Sequence, residues 1–153
     1  MSLRVTVEDP ESVDAAILLE ELSSALAAIT GSSGKASFDA NDVRGEQARF
    51  VVARDVRDVP VGCGGFRPLE AGIAEIKRMY SRRSVAGVGT AILQFLEAEA
   101  RMLNYQALRL ETRIVNVRAV AFYERLGYSR IPNFGKYAGR PEAACFEKRL
   151  HRE

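Results

Sequence analysis

The chain has 153 residues, 47% of them hydrophobic and 27% charged, which predicts one globular domain over residues 1–153 and no transmembrane helix. Its 22 basic and 20 acidic residues leave a formal net charge of +2, so charge alone predicts binding neither to nucleic acid nor to a membrane. The only histidine, His151, stands near the C-terminus, and the two cysteines, Cys63 and Cys145, lie far apart. A histidine-activated nucleophile and a Cys-rich structural zinc site are therefore not expected, and a reducing cytoplasm is the expected location.

The first 48 residues predict a strand, a helix and a polar loop. Leu3, Val5 and Val7 alternate with polar residues, as in a strand. Apolar residues at helical spacing predict a helix over 11–29, with Asp9 as its acidic cap and Pro10 in its first turn. The polar segment 35–48 is ambiguous, because a short helix after Asp39 and a mobile loop both fit it.

Residues 49–81 have the period of β-strands. Strands are predicted over 49–54, 59–66 and 72–81, with a hairpin turn at 55–58, and together they form an antiparallel meander. The second strand contains Gly62, Gly64 and Gly65, which permit bulges or a close approach of another backbone.

The C-terminal half alternates helices and strands. A helix is predicted from the glycine turn at 87–89 through Leu103, and Asn104 suits a left-handed cap. A strand over 107–114, a helix over 117–126 and a strand over 128–131 follow. The loop 132–141 precedes a last strand over 144–150.

The glycine turn in Ser84-Val85-Ala86-Gly87-Val88-Gly89-Thr90 stands between a strand and a helix, where free backbone N–H groups and the helix dipole favour anions. No Gly-Lys-Ser/Thr sequence follows, so it is not a P-loop. Gly87, Gly89 and a suitably spaced Glu111 fit part of a dinucleotide-binding pattern. Ile92 at the third glycine position and the three preceding strands argue against that fold. A tight turn that binds nothing is the remaining alternative.

Three segments carry a resemblance to a known family. The segment 74–81, the turn 87–89 with its helix, and the segment 116–128 occur in order, and the last matches N-x-x-A-x-x-x-Y-x-x-x-G-[FY] at every fixed position. With the strand–helix order over 49–150, the chain resembles the GNAT superfamily of acetyl-CoA-dependent N-acetyltransferases. The segments 130–137 and 145–148 resemble a group of small bacterial members.

The resemblance implies an α/β (α+β) fold whose mixed, mostly antiparallel sheet of about six to seven strands is flanked by helices. It implies acetyl-CoA as co-substrate and no metal. The pyrophosphate would lie on the glycine turn and the pantetheine arm along the preceding strand and Asn116. The predicted cofactor-binding residues are Met79, Tyr80, Ser81, Arg82, Arg83, Ser84, Val85, Ala86, Gly87, Val88, Gly89, Thr90, Asn116 and Tyr123. Ser84 departs from the family, which usually has Arg or Gln there, and Arg82 or Arg83 could supply the missing charge.

The resemblance also implies the catalytic residues. Acetyl transfer to an amine requires that the amine lose a proton and the leaving thiolate gain one, and it requires no covalent nucleophile. Tyr123 is the predicted general acid beside the thioester sulfur, with a core tyrosine as the alternative. Glu75 is the predicted general base, with an exposed carboxylate paired to Lys77 or Arg109 as the alternative. Asn116 also suits a helix N-cap, and both of its roles can hold.

Acceptor specificity is expected from the first helix, the 31–48 loop and the 132–141 loop, where Phe134, Tyr137 and Arg140 could line a pocket. A packed connection is the alternative for the 132–141 loop. The predicted function is acetyl transfer from acetyl-CoA to the primary amine of a small molecule by direct attack in a ternary complex. Acetylation of a protein or peptide amine, and a non-catalytic acetyl-CoA sensor, are the alternatives. A small-molecule amine is the expected partner, without nucleic acid or membrane. The sequence leaves a homodimer open.

Overall fold

The computed structural model describes residues 2–151, which form a seven-stranded sheet with three α-helices. The mixed, mostly antiparallel α/β fold is thereby confirmed. The elements are β1 (Arg4–Val7), α1 (Val13–Thr30), β2 (Arg49–Arg54), β3 (Pro60–Glu70), β4 (Ile73–Ser81), α2 (Val88–Met102), β5 (Ala107–Arg113), α3 (Val117–Arg125), β6 (Ser129–Ile131) and β7 (Ala143–Arg149). Short 3-10 turns occur at Lys35–Ser37, Ala40–Val43 and Gly135–Tyr137.

The sheet opens in its middle. Its strand order is β1-β2-β3-β4-β5-β7-β6, and β4 and β5 form its parallel pair. These two strands pair only from Ile73–Ala107 to Glu75–Arg109, although β4 continues to Ser81 and β5 to Arg113. The strands therefore diverge beyond Glu75 and leave an opening between them.

The helices cover opposite faces of the sheet, because successive strand side chains point to opposite sides. On one face, Ile92, Leu93 and Leu96 of α2 and Tyr123 of α3 share a core with Val51 and other strand residues. On the other face, Ala15 and Leu18 of α1 pack with Phe50, Val52 and Cys63.

The glycines of β3 allow α2 to approach the sheet, as their sequence position predicts. A Cβ atom on Gly62 would lie 2.6 Å from Val88 Cγ1 and 2.9 Å from Ile92 Cδ1. Such distances are shorter than real Cβ contacts, so a side chain at this position would push the helix away.

The predicted start of the first helix is wrong by two residues. Ser12 caps α1 by accepting a hydrogen bond from the Ala15 amide at 3.2 Å. Asp9 instead accepts from the Glu11 amide and pairs with Arg44, which fixes the chain before the helix. The short helix after Asp39, one of the two alternatives for 35–48, is a 3-10 turn capped by that residue.

The cap that follows α2 agrees with the sequence prediction, whereas the end of β3 differs from it. Asn104 adopts the left-handed conformation at φ 67°, as predicted. β3 runs past its predicted end at 66, because Arg67 and Pro68 remain paired with Glu75 and Ala74 of β4. This extension places a charged residue of β3 directly opposite Glu75.

Candidate active site

A cavity of about 390 Å³ occupies the opening between the diverging strands. It brings together four of the predicted site residues: Glu75, Met79, Asn116 and Tyr123. Both faces of the sheet contribute to its wall, since residues of α1 and of α3 line it. This β4–β5 cavity therefore has walls on both faces of the sheet.

Tyr123 lies on α3 at the wall of the cavity and is 7% exposed. Its ring makes edge contacts with the rings of Phe122 and Tyr128, at centroid distances of 5.1 and 5.7 Å. Burial raises the pKa of its hydroxyl, and no residue in 2–151 forms a hydrogen bond with that hydroxyl. Tyr123 is thus a core tyrosine whose protonated hydroxyl remains available to a ligand.

Asn116 is the N-cap of α3, as the alternative interpretation predicts. Its Oδ1 atom accepts a hydrogen bond from the Ala119 amide at 3.3 Å. Its Nδ2 group donates to no atom of residues 2–151, and the residue lines the cavity. The role in binding the pantetheine arm therefore stays a prediction that this geometry permits.

Glu75 lies on β4 and is almost fully buried, at 1% exposure. Arg67 donates to its Oε1 atom at 2.9 Å, and Tyr137 donates to its Oε2 atom at 3.0 Å. Lys77 Nζ lies 3.8 Å from Oε2, and burial lowers the pKa of this lysine. An exposed carboxylate, the alternative interpretation, is wrong, because the β3 extension and the 3-10 turn at Tyr137 cover it.

Arg109 is not a partner of Glu75. Its guanidinium pairs with Glu70 at 3.0 Å and with Glu147 at 2.8 Å. The Glu75 carboxylate thus reaches the cavity wall already held by two cations and a phenol. Its role as general base stays a prediction.

Glu111 is a second carboxylate at the cavity that the site prediction does not include. It is half-buried on β5, and no hydrogen bond or ion pair within residues 2–151 engages its side chain. Burial raises its pKa, and the positive charges of Arg113 and Lys77 oppose that rise. The alternation of side chains along β5 puts Glu111 on one face with Arg109 and Arg113. This pattern is the feature of the sequence from which Glu111 could have been predicted as a site residue.

The glycine turn forms the N-terminus of α2 at the end of β4. Gly87 is the N-cap at φ 81°, with no side chain to accept from the first N–H groups of the helix. The residues Arg83, Ser84 and Ala86 are exposed, whereas Val88 is buried in the core. These free N–H groups and the helix dipole make a suitable site for a phosphate.

The two arginines before the turn differ in their contacts. Arg82 donates to both carboxylate oxygens of Glu21, at 2.9 and 2.6 Å, and to the Pro60 carbonyl at 2.8 Å. Tyr80 also donates to Glu21, at 2.9 Å. Arg83 is exposed and has no ion pair within residues 2–151. Of the two, Arg83 is therefore the one free to contact a phosphate.

The remaining predicted cofactor residues lie along one path. Met79 lines the cavity, Ser81 ends β4, and Val85 precedes the helix, whose residues Gly89 and Thr90 follow the cap. A Cβ atom on Gly89 would lie 3.1 Å from the Phe122 ring, so α2 and α3 meet there. The strand pairing ends at Glu75, so the backbone of 76–81 faces β5 without a strand partner. An extended ligand with amide groups and a terminal phosphate would fit this edge and turn.

Two features are absent from residues 2–151. No helix there is sufficiently long and apolar to cross a lipid bilayer. No cluster of three or more His, Cys, Asp or Glu side chains there could hold a metal ion.

Comparisons with known proteins agree with this geometry. The model of the acetyltransferase (GNAT) family matches residues 17–128. A protein named IAA acetyltransferase, from Azospirillum brasilense, is 32% identical over 136 residues, covering 87% of this chain and 88% of the relative. An acyl-CoA N-acyltransferase structure from Klebsiella pneumoniae subsp. pneumoniae MGH 78578 superimposes with a TM-score of 0.83 at 27% identity, covering 97% of this chain and 98% of that chain.

A further structural neighbour was solved with the cofactor bound. The PaiA N-acetyltransferase from Thermoplasma acidophilum, in complex with coenzyme A, superimposes with a TM-score of 0.73. It is 17% identical and covers 97% of this chain and 99% of that chain. At this identity the likeness concerns the fold.

Proposed function

The chain belongs to the acetyltransferase (GNAT) family of acetyl-CoA-dependent acyltransferases, and we propose that it acetylates the primary amine of a small molecule by direct attack in a ternary complex. The observation that carries this proposal is the β4–β5 cavity, whose lining includes both the Tyr123 phenol and the Glu75 carboxylate. An acid and a base in one enclosed site are what amine acetylation requires.

The chain's own residues would hold the cofactor along the opening in the sheet. The free N–H groups at Gly87 and the side chain of Arg83 bind phosphate, and the unpaired backbone of 79–81 binds the amides of the pantetheine arm. The Nδ2 group of Asn116 donates a further hydrogen bond. Bound acetyl-CoA supplies an activated acetyl group as its thioester.

Two residues would move protons. Glu75 accepts the proton of the amine, directly or through a water molecule. The Tyr123 hydroxyl donates to the departing sulfur, and its raised pKa keeps it protonated throughout the physiological pH range. These roles lie on opposite sides of the opening, because Tyr123 belongs to the α2–α3 face and Glu75 to the α1 face.

The cysteines support direct attack over a covalent acetyl-enzyme. Cys63 and Cys145 are both buried. Burial raises the pKa of the Cys63 thiol to about 12 and also raises that of Cys145. The nucleophilic thiolate of either residue is therefore scarce at neutral pH. Both are free thiols, which supports a reducing cytoplasm as the place of action.

A small acceptor fits this site better than a peptide. The acceptor side is enclosed by α1, by the 30–37 segment and by residues 136–143. A cavity of about 390 Å³ is at the small end of ligand pockets. Of the three loop residues predicted to line the acceptor pocket, Tyr137 and Arg140 line the cavity, whereas Phe134 packs edge-on against Tyr137.

Thiol release from acetyl-CoA, measured with a panel of amines, tests the proposal. The panel contains amino acids, polyamines, aminoglycosides and an amine-bearing peptide. We expect turnover with at least one small amine and less with the peptide. Binding of acetyl-CoA without turnover on any amine would instead support the sensor, and peptide preference would support the protein acetyltransferase.

The base is tested with Glu75→Gln, which should lower the rate near neutral pH and recover at high pH, where free amine is abundant. The substitution also removes a charge that Arg67 and Lys77 face, so unfolding must be measured in parallel. Glu147→Gln is the matched control, because it removes one of the two carboxylates that pair with Arg109, outside the cavity. Equal effects of both variants on the rate would mean that another group is the base.

A further inference from the structure

The acceptor side of the β4–β5 cavity carries an excess of positive charge. Its lining includes five basic residues and three acidic ones, namely Lys77, Arg78, Arg113, Lys136 and Arg140 against Glu75, Glu111 and Glu142. Two of the basic residues are already engaged. Lys77 faces Glu75, and the Arg78 guanidinium donates to Ser23 and to backbone carbonyls of α1 and the following loop.

Three cations remain for a ligand. Arg113 and Arg140 have no hydrogen-bond or ion-pair partner for their side chains within residues 2–151. Lys136 donates to the Ser37 carbonyl at 3.3 Å and has no ion pair in that range. Arg113 pairs with Ala143 across β5 and β7, and the Ala143 amide donates to the Arg140 carbonyl at 3.1 Å. The two arginines therefore flank the same residue at the cavity wall.

A carboxylate accompanies these cations on the same face of the sheet. Glu111 lies two residues before Arg113 on β5, and the charges of Arg113, Lys77 and Lys136 all act on it. Since no ion pair within residues 2–151 uses Glu111, its carboxylate is available to an ammonium group. Glu142 also lines this side, exposed and without an ion pair within residues 2–151, so the acceptor side presents two such carboxylates and three cations to a small molecule.

The phosphates of coenzyme A do not account for these cations. The phosphate-binding turn at 84–90 lies outside the cavity lining, at the junction of α2 with Phe122 of α3. Glu111 and Arg113 point away from the core that α2 and α3 form, because Leu108 and Leu110 of the same strand belong to that core. The free cations therefore lie on the side from which the acceptor enters.

We propose that the acceptor is an amine that also carries an anionic group, as an amino acid does, with its ammonium at Glu111 and its carboxylate at Arg113, Lys136 and Arg140. This inference rests on the proposed function. A polyamine would place its second ammonium against the three cations, so the same arrangement disfavours it.

Matched acceptors test the charge requirement by thiol release. Each amino acid is compared with its amide, its decarboxylated amine and its aminophosphonate analogue. We expect kcat/KM to fall at least tenfold on loss of the anion. Activity with the phosphonate, equal to or above that with the acid, would identify a phosphate-type anion as the ligand group. Equal or higher activity with decarboxylated amines or polyamines would overturn the inference and leave the proposed function intact, whereas no turnover with any amine would overturn both.

Arg140→Ala assigns the effect to the cations, because this side chain has no partner whose loss would disturb the fold. It should raise KM for the acid acceptor about 5- to 20-fold, between the effects of an exposed ion pair and of a buried charged hydrogen bond. It should leave KM for the decarboxylated amine and for acetyl-CoA unchanged. Arg57→Ala, at the exposed turn between β2 and β3, controls for loss of one positive charge. Equal changes for both acceptors, or none in Arg140→Ala, would contradict the assignment.

Discussion

Replacing Tyr123 by Phe separates a catalytic hydroxyl from a structural one. The hydroxyl has no hydrogen-bond partner within residues 2–151, and its ring packs by edge contacts that Phe can reproduce. The free energy of unfolding should therefore change by less than about 0.5 kcal/mol. If the phenol protonates the leaving sulfur, kcat should fall about 100-fold, which corresponds to about 2.7 kcal/mol of transition-state stabilisation.

Tyr128 is the matched control because its ring lies 5.7 Å from that of Tyr123 and its hydroxyl, unlike that of Tyr123, forms a hydrogen bond within the protein. It donates to the buried Glu97 at 2.8 Å, and Lys148 holds the same carboxylate at 3.2 Å. Tyr128→Phe leaves Glu97 with one donor fewer, which should cost about 1–3 kcal/mol. For a chain of this length that lowers Tm by about 3–10 °C.

Both variants are measured by thermal unfolding and by thiol release under conditions in which chemistry limits the rate. Tyr123→Phe should lose turnover and keep its Tm and its KM for acetyl-CoA, whereas Tyr128→Phe should lose Tm and keep most of its turnover. Unchanged turnover in Tyr123→Phe, or equal losses of turnover in the two variants, would refute the acid role.

Five further substitutions test the phosphate site and the second carboxylate. Gly87→Ala and Gly31→Ala introduce similar backbone strain, because both glycines lie in open space at φ 81° and 82°. Only Gly87→Ala should weaken CoA binding, as measured by calorimetry. Equal affinities of the two variants for CoA would exclude the turn as the phosphate site. Arg83→Ala should weaken CoA binding about tenfold. Arg82→Ala should mainly lower Tm, because it breaks the ion pair of Arg82 with α1. A larger loss of CoA affinity in Arg82→Ala than in Arg83→Ala would show that Arg82 contacts the cofactor. Because burial raises the pKa of Glu111, ionisation destabilises the fold as pH rises through that pKa, so Glu111→Gln should have the higher Tm at about pH 8 and match the wild type below about pH 4. A difference that grows towards acidic pH would contradict this sign.

The fold and the cofactor side of the site follow from local sequence patterns. The apolar period of 88–103, the glycines at 87 and 89, and the Asn116–Gly127 motif act within a few residues of one another. Local patterns of this kind determine where a helix begins and which side chain it presents. The element order and the left-handed Asn104 are therefore predictable from sequence.

The acceptor side depends on contacts between residues distant in sequence. Glu75 is buried because β3 extends to bring Arg67 opposite it and because Tyr137, 62 residues further on, donates to it. Arg82 is engaged by Glu21, 61 residues earlier. Strand register and helix placement determine these pairs, and neither can be read from hydrophobic period alone.

Initial-rate kinetics with an active amine test the central claim of direct transfer in a ternary complex. Acetyl-CoA is varied at several fixed amine concentrations, and CoA thiol is measured as the product. The account predicts intersecting double-reciprocal lines and no thiol release when the amine is omitted. Parallel lines, with a burst of thiol before the amine is added, would show a covalent acetyl-enzyme and contradict it.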